Sequence, residues 1–254
     1  MGVGFGFTRT GSIVAQETAE SNGSTSSRVR MIGDGLGLQP TDMVRLWTHL
    51  TEEQRIVQDS YSNGGTVEEL ETEFAARLGK ERAVFMPTGT LANHLAVRTL
   101  ARGTGRAIVQ AESHLFNDSG DCVQRLSGIN LIPLAPGRAS FTLDEMRKVI
   151  ERTASGRVAT PVSVISLESP VRRRFGETFD QTEMDRIVNF ARQEGIRLHL
   201  DGARIFLQSA YEGRDIADYT RPFDTVYVSL YKYFNAASGA ILAGPRTLLN
   251  DMYH

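Results

Sequence analysis

The sequence is poor in cysteine, in net charge and in long apolar runs. Its one cysteine, Cys122, excludes a disulfide framework and a metal cluster held by several thiolates. The 28 lysines and arginines nearly balance the 30 aspartates and glutamates, whereas nucleic-acid-binding proteins usually carry a basic excess. No apolar run approaches the roughly 20 residues that a membrane-spanning helix needs. We therefore expect neither a nucleic-acid partner nor a membrane partner, and no metal site.

What the sequence does contain is sufficient apolar material for one large domain. Of its 254 residues, 41% are hydrophobic and 23% are charged, which excludes a disordered chain. Residues 1–28 are rich in glycine, serine and threonine and show no helical or strand periodicity. We predict a disordered tail at 1–28 and a folded domain at 29–254. No clear secretory signal precedes it, so we expect a cytoplasmic protein.

Short β-branched runs alternate with amphipathic segments along this domain. The runs predict strands at 82–86, 107–110, 129–134, 162–167, 196–200, 225–230 and 240–243. The amphipathic segments predict helices that include 91–100, 143–150 and 181–193. A capping box, with Thr66 as N-cap and Glu69 three residues later, predicts an earlier helix that Gly79 ends. The alternation predicts an α/β fold with a mostly parallel sheet flanked by helices.

Two charged residues follow predicted strands. Lys232 follows 225–230 and has Tyr231 and Tyr233 as neighbours, and partial desolvation there would free its amine for Schiff-base chemistry. Taken alone, a lysine in this position is more often a surface residue with its stem over an aromatic ring. Asp201 ends the strand 196–200, where ligands of α/β sheets bind, but it could also be a helix N-cap.

Two further segments point to the same strand ends. Thr88, Gly89 and Thr90 join a predicted strand to a helix, and the amide groups of a helix N-terminus form a phosphate site. Thr88 alone could simply cap the helix. His114 follows the strand 107–110, where an imidazole can stack on a flat ring, although a lone histidine is more often structural.

Taken in chain order, these signals meet the needs of pyridoxal 5'-phosphate. The cofactor requires an anion cradle, a ring platform, a carboxylate for its pyridine nitrogen and a lysine for its aldehyde. The order of Gly89, His114, Asp201 and Lys232 supplies each group once.

At this point the sequence resembles the threonine aldolase and aromatic amino acid β-eliminating lyase family of fold-type-I pyridoxal-phosphate enzymes. The resemblance runs from about residue 31 to the C-terminus. Its most specific segments are 61–71 (YSNGGTVEELE), 87–93 (PTGTLAN), 198–204 (LHLDGAR) and 229–232 (SLYK), with Gly239. The resemblance implies the large domain of the fold-type-I architecture.

The resemblance also implies a role for each matching residue. Lys232 would form the Schiff base, Asp201 would bind the pyridine nitrogen and His114 would stack on the ring, so these three are the expected catalytic residues. The remaining implied roles are phosphate binding by Gly89, Thr90 and Leu91, substrate binding by Arg204 and Glu168, and a contact from Tyr61 to the cofactor of a neighbouring subunit in a homodimer or homotetramer.

The sequence departs from the family pattern in three places. Residues 33–35 read GDG where relatives have Ser-Asp-Thr, and residues 169–174 read SPVRRR where threonine aldolases continue Asn-Thr-His after the glutamate. Relatives also continue beyond the position of His254 into a smaller domain, so we expect a C-terminally truncated large domain in which the small domain is absent.

The expected activity is that of a pyridoxal-phosphate-dependent carbon–carbon lyase. A threonine-aldolase-like enzyme cleaves a β-hydroxy amino acid into glycine and an aldehyde through the Lys232 Schiff base. The sequence leaves open β-elimination or transamination of another amino acid, and a catalytically incomplete remnant that only binds cofactor. A nucleotide-binding domain has little support, because the G-x-G-x-x-G and Walker A patterns are missing.

Overall fold

The computed structural model of the chain describes residues 38–102, 105–234 and 236–253, together with the backbone of two short strands near the N-terminus. These strands, β1 (Val3–Phe7) and β2 (Ile13–Glu17), pair in an antiparallel hairpin that the sequence analysis did not predict. The remainder of the predicted tail, its boundary at residues 28 and 29, and the 33–35 segment lie outside the described residues.

Helices and strands alternate through the rest of the chain. The further strands are β3 (Arg82–Met86), β4 (Arg106–Gln110), β5 (Asn130–Leu134), β6 (Val162–Glu168), β7 (Arg197–Asp201), β8 (Thr225–Ser229) and β9 (Ala240–Gly244). The helices are α1 (Pro40–Glu52), α2 (Gly65–Arg77), α3 (Gly89–Ala101), α4 (His114–Asn117), α5 (Cys122–Ser127), α6 (Leu143–Ala154), α7 (Gln181–Glu194), α8 (Ile205–Glu212), α9 (Ile216–Thr220), α10 (Leu230–Tyr233) and α11 (Arg246–Leu249). Two 3₁₀ turns lie at Arg172–Arg174 and Asn250–Tyr253.

Strands β3 to β9 form one seven-stranded sheet in the order β3-β9-β8-β7-β6-β4-β5. Strand β9 is antiparallel to both of its neighbours, and the pairs from β8 to β5 are parallel. The prediction of an α/β fold with a mostly parallel sheet is therefore confirmed. The carboxyl ends of β3, β4, β6, β7 and β8 meet at one edge of the sheet.

Apolar cores cover both faces of this sheet. Strands β8 and β9 are buried along their whole length, as expected for strands with helices on both sides. On one face, Phe74 of α2, Met146 of α6 and Ile187 of α7 share a core with sheet residues. On the other face, α3 packs across β6, β7, β8 and β9. None of the helices within the described ranges is both long and apolar enough to cross a membrane.

Two local predictions were wrong. Thr66 is not the N-cap of α2, because the helix begins two residues earlier than predicted, at Gly65, and its N-cap is Gly64. The Gly64 amide donates to Glu68 Oε2 at 2.8 Å, while Thr66 Oγ1 accepts from the Val57 amide at 2.8 Å. Leu230 was predicted to end a strand, but it begins the one-turn helix α10 that carries Lys232.

Candidate active site

Several of the predicted site residues lie at the carboxyl edge of the sheet. Glu168 is the last residue of β6, Asp201 is the last residue of β7, and Lys232 lies in the helical turn that follows β8. Gly89 begins the helix that follows β3, and His114 begins the short helix that follows β4. The fold therefore gathers residues that are far apart in sequence at one edge.

The carboxylate of Asp201 is buried and has a donor on each oxygen. Asn93 Nδ2 donates to Oδ2 at 2.7 Å, and the Ala203 amide donates to Oδ1 at 3.2 Å. Asn93 lies on α3 one turn after Gly89, so the two residues lie on the same side of that helix. One helix thus positions the start of the phosphate loop and a side chain that holds Asp201.

A hydrogen-bonded row continues from Asn93 into the core. Asn93 Oδ1 lies 2.9 Å from Nε2 of His199, and Nδ1 of His199 lies 2.9 Å from Thr225 Oγ1. His199 and Thr225 are register partners on β7 and β8. Burial lowers the pKa of His199 to about 4, against the opposing effect of the Asp201 charge, so its ring is neutral at physiological pH.

Tyr227 lies on the strand next to Asp201 and contacts the phosphate loop. It is the register partner of Asp201 on β8, and a Cβ on Gly89 would lie 2.0 Å from its hydroxyl oxygen. Burial, and secondly the charge of Asp201, raise the pKa of the Tyr227 phenol, so it is a neutral hydroxyl. The loop approaches this hydroxyl closely because residue 89 has no side chain.

The start of α3 is capped from within the loop. Thr88 Oγ1 accepts from the Leu91 amide at 3.2 Å, which is the capping role that the sequence analysis gave as its alternative for Thr88. The Leu91 amide is thereby engaged by Thr88. Of the three predicted phosphate ligands, the amides of Gly89 and Thr90, at the first turn of the helix, are the stronger candidates.

Lys232 is buried among aromatic rings. Its Nζ lies 5.9 Å from the centroid of the Tyr227 ring and 5.3 Å from that of Tyr231. Ser229, one helical turn earlier, is fully buried as well. Asp201 ends β7 and Lys232 follows the neighbouring strand β8, so the two residues lie at the same edge of the sheet.

Glu168 joins three segments at this edge. Its Oε2 accepts from the His114 amide at 2.5 Å, and its Oε1 accepts from the Arg172 amide at 2.9 Å. Burial, and secondly the charge of Asp201, raise the pKa of Glu168 to about 7. Glu168 and Asp201 are register partners on β6 and β7, so the two carboxyl groups occupy adjacent positions at the sheet edge.

Arginines lie beside these carboxyl groups. Arg204 is buried after β7, and its charge favours the ionised form of Glu168. Closer to the surface than Arg204, Asp118 binds Arg172 Nη2 at 2.6 Å and Arg173 Nη2 at 2.7 Å. Burial alone would raise the pKa of Asp118, but the hydrogen bonds from Arg173 and Arg172 lower it to about 2. His114 Nδ1 lies 3.8 Å from the same carboxylate.

Tyr61 is the predicted site residue that the fold does not bring to this edge within one chain. It is 94% exposed in the turn between α1 and α2, with a φ of 53°. Among the described residues, no contact joins its side chain to those named above.

Sequence reasoning missed Asn93, His199, Thr225, Tyr227 and Ser229 as parts of this site. The four strand residues share one signal, a polar residue at every second position of an otherwise apolar strand, which places their side chains on one face. Asn93 lies on α3 and has no such signal. Strand β8 reads Thr225, Tyr227 and Ser229 on that face, and β7 reads His199 and Asp201. Polar residues on a buried face require partners, and His199 and Thr225 are partners of one another.

Comparison with known proteins agrees with this geometry. The pattern that defines the β-eliminating lyase family matches residues 50–254. A low-specificity L-threonine aldolase of Candida albicans is 28% identical over 197 residues, which are 76% of this chain and 52% of that protein. An alanine racemase of Cochliobolus carbonum is 29% identical, over 76% of this chain and 49% of that protein. The chain spans about half the length of the curated relatives it matches.

Two solved structures share the fold at higher identity. A putative L-allo-threonine aldolase of Listeria monocytogenes has a TM-score of 0.73 and 31% identity, over 85% of this chain and 59% of that one. A putative aromatic amino acid β-eliminating lyase/threonine aldolase of Exiguobacterium has a TM-score of 0.72 and 30% identity, with the same coverage. The chain belongs to the β-eliminating lyase family.

Proposed function

We propose that the chain is the cofactor-binding part of a pyridoxal-phosphate-dependent lyase that cleaves a β-hydroxy amino acid into glycine and an aldehyde. The observation that carries the proposal is the arrangement of Asp201 and Lys232. A buried carboxylate and a buried amine lie at the ends of adjacent parallel strands, next to a glycine at a helix N-terminus.

The residues present fit this cofactor. A phosphate needs a close approach to backbone amides, and Gly89 begins a 13-residue helix without a Cβ. A cationic ring nitrogen needs a carboxylate, and Asp201 keeps lone pairs beyond its two hydrogen bonds. An aldehyde needs an amine, and Lys232 supplies one in a desolvated position.

The bound cofactor would supply an electron sink for a bond at the α-carbon of an amino acid. Asp201 would stabilise positive charge on its ring nitrogen, and His114 would lie against the ring. Arg204 would bind the carboxylate of the substrate, because a guanidinium matches a carboxylate in geometry. Glu168 would hold or release a proton near neutral pH, since its pKa of about 7 is suited to acid–base work.

Retro-aldol cleavage is the favoured reaction among those open to this site. Three fungal relatives with 28% or 29% identity are low-specificity L-threonine aldolases. The racemase relative shows that the family also contains a protein that breaks a different bond. β-Elimination is the alternative that the family description favours, and a chain that binds cofactor without turnover is the non-catalytic alternative.

We also propose that the protein is a homo-oligomer. Helix α1 has no buried residue, and its Trp47 is 53% exposed and its Val44 is 61% exposed. Ile56, Val57 and Tyr61 continue this exposed apolar surface towards α2. A second copy covering the surface would bury it and would bring Tyr61 within reach of a neighbouring site.

The first test is cofactor attachment followed by product analysis. Borohydride reduction of the chain loaded with pyridoxal phosphate should fix the cofactor on Lys232, as seen by peptide mass spectrometry, and Lys232→Ala should abolish labelling. Lys148, on the exposed side of α6, provides a matched control as Lys148→Ala. No labelling of the wild-type chain would contradict cofactor binding.

Assays with threonine and allo-threonine then separate the reactions. Glycine and acetaldehyde support the aldolase, whereas ammonia and a keto acid support β-elimination. A changed stereochemistry at the α-carbon without cleavage of a carbon–carbon or carbon–nitrogen bond supports racemisation, in which only the α-proton is removed and returned. Labelled chain with none of these products would support the non-catalytic alternative.

A further inference from the structure

Behind Asp201, a row of three fully buried polar side chains leads away from the proposed cofactor site. The row runs from Asp201 through Asn93 and His199 to Thr225, with contacts of 2.7, 2.9 and 2.9 Å. Asn93, His199 and Thr225 each have no exposed surface. The row crosses from α3 to β7 and β8, so it ties three elements to one carboxylate.

The direction of every hydrogen bond in this row follows from its first member. An ionised carboxylate only accepts hydrogen bonds, so Asn93 must present its amide nitrogen to Asp201. Its carbonyl oxygen then faces His199 and requires a donor at Nε2. A neutral imidazole with a proton on Nε2 has an acceptor at Nδ1, which takes the hydroxyl proton of Thr225.

The His199 ring is neutral in the folded chain. Burial removes the water that would stabilise an imidazolium, and this lowers the pKa of His199. The charged group that acts on it is Asp201, whose own neighbours are Glu168 on β6 and Tyr227 on β8. The side chains of Asn93 and Thr225 that contact the His199 ring nitrogens are uncharged, and the backbone of Thr225 favours the charged ring less than burial disfavours it.

We infer that Asn93, His199 and Thr225 are positioning residues that fix the orientation of the Asp201 carboxylate for a cationic ring nitrogen. The inference rests on the proposed function. The row always presents Asn93 to Asp201 as a donor, and the Ala203 amide holds the other oxygen. Two donors from different elements fix the plane of the Asp201 carboxylate. A carboxylate that stabilises a charge on a bound ring needs its orientation fixed in this way.

The polarity of the row can be tested without any cofactor. In the cofactor-free chain labelled with ¹⁵N-histidine, the His199 imidazole should be neutral with its proton on Nε2 down to about pH 5. Thr225→Val keeps the volume of the side chain but removes the donor to Nδ1, so the ¹⁵N signal of Nδ1 should move towards that of a nitrogen without a hydrogen bond while the proton stays on Nε2. Thr225→Ser keeps the hydroxyl and should retain the wild-type Nδ1 signal.

The positioning role is tested with pyridoxal phosphate as the probe. Thr225→Val should raise its dissociation constant about tenfold, since a buried acceptor loses its donor, and should shift the pH midpoint of the cofactor absorbance. Asn93→Asp, which puts a second carboxylate against Asp201, should have a larger effect in the same direction. Thr225→Ser should match the wild type in both measurements. Thermal unfolding of each cofactor-free variant separates these effects from loss of fold.

Three results would overturn the inference. A wild-type His199 with its proton on Nδ1 would reverse the polarity of the row. Folded Thr225→Val and Asn93→Asp with wild-type cofactor affinity and absorbance midpoint would show that the row does not act on the site. A wild-type chain that binds no pyridoxal phosphate would remove the proposed function and the positioning role together, while the tautomer would still report on the row itself.

Discussion

Gly89 and Tyr227 are in contact beside the proposed cofactor site, so closely that residue 89 has no room for a side chain. A Cβ on Gly89 would lie 2.0 Å from the Tyr227 hydroxyl oxygen and 2.3 Å from Cζ. Tyr227 cannot simply move aside, because it is buried on β8, next to Asp201 on β7. The pair therefore sets the distance between the phosphate loop and the sheet.

Gly89→Ala is expected to damage both the fold and the cofactor site. The new methyl group must displace either the loop or the Tyr227 ring, and overpacking of this type costs about 1–3 kcal/mol of unfolding free energy. Urea unfolding of the cofactor-free chain would give this loss, and titration with pyridoxal phosphate would show weaker binding.

The matched control is the same substitution in a Tyr227→Ser background. Removal of the ring provides the space that the methyl group needs, so Gly89→Ala should cost much less there, and the double-mutant cycle should show a coupling energy well above zero. Equal costs in the two backgrounds would mean that Tyr227 is not what excludes a side chain at position 89.

A second prediction concerns the stability of the cofactor-free chain in acid. His199 has a lowered pKa in the folded state, so the unfolded chain takes up its proton first as the pH falls below about 6.5. The contribution of the neutral ring is fully present above that pH and is lost as the pH falls towards about 4. The lowered pKa of His199 corresponds to about 3 kcal/mol of unfolding free energy.

This effect is measured as a difference between wild type and His199→Gln. Glutamine can replace the donor to Asn93 but does not titrate. The unfolding free energy of the wild type should therefore exceed that of the variant by less at pH 4.5 than at pH 7. A pH-independent difference in unfolding free energy would contradict a neutral, buried His199.

Glu168 should give a pH dependence of opposite sign. Its pKa is raised in the folded state, so the folded chain keeps the proton while the unfolded chain loses it above about 4.5. Stability should therefore fall as the pH rises from about 4.5 to about 7. Glu168→Gln should remove this fall, and Glu177→Gln, in the exposed turn nearby, should leave it unchanged. A wild-type curve with no such fall would contradict the burial and the coupling to Asp201.

Much of this site follows from strand ends, and the remainder depends on packing. The position of Asp201 at the end of β7 and of Gly89 at the start of α3 could be predicted, because apolar runs and helix starts are local signals. Asn93 could not be assigned to Asp201 in this way, because their contact depends on how α3 crosses the sheet. The strand pattern of His199 and Thr225 was visible in the sequence, but only the register of β7 and β8 makes them partners.

The errors of the sequence analysis have the same origin. Thr66 has the spacing of a capping box, but its hydroxyl oxygen accepts a hydrogen bond from the Val57 amide instead of from an amide of the helix. The turn before it, with Gly64 at a φ of 75°, starts the helix earlier. A contact between segments that are separated in the chain thus overrides a local signal, and no local pattern could have revealed it.

The proposed homo-oligomer predicts an effect of α1 on assembly. Trp47→Glu puts a charge in the exposed apolar surface of α1 and should shift the protein towards monomer in sedimentation velocity. The helix has no buried residue, so the folded monomer should survive, with unchanged far-UV circular dichroism. Tyr211→Glu changes an even more exposed aromatic residue, on α8, and should leave assembly unchanged. A wild-type protein that is already monomeric would contradict the proposed assembly.

Asp118 should control the order of the segment that follows Glu168. It binds both Arg172 and Arg173, while the Arg172 amide donates to Glu168. Asp118→Asn should therefore increase hydrogen exchange in residues 169–177. The two arginine side chains are 40–43% exposed and that of Asp118 is 20% exposed. Solvent therefore screens these ion pairs in part, and the loss of unfolding free energy should be modest, about 1 kcal/mol, and smaller at high salt.

The acid dependence gives this last prediction its sign. The pKa of Asp118 is lowered to about 2 in the folded state. The contribution of Asp118 to stability is therefore present when the pH is above the ordinary pKa of an aspartate, and it is lost as the pH falls towards 2. Arg174→Gln breaks the neighbouring pair with Glu177 without touching Asp118, and exchange at the Arg172 amide should stay slow in that variant. If both variants loosen the segment equally, Asp118 has no special role in holding the residues that contact Glu168.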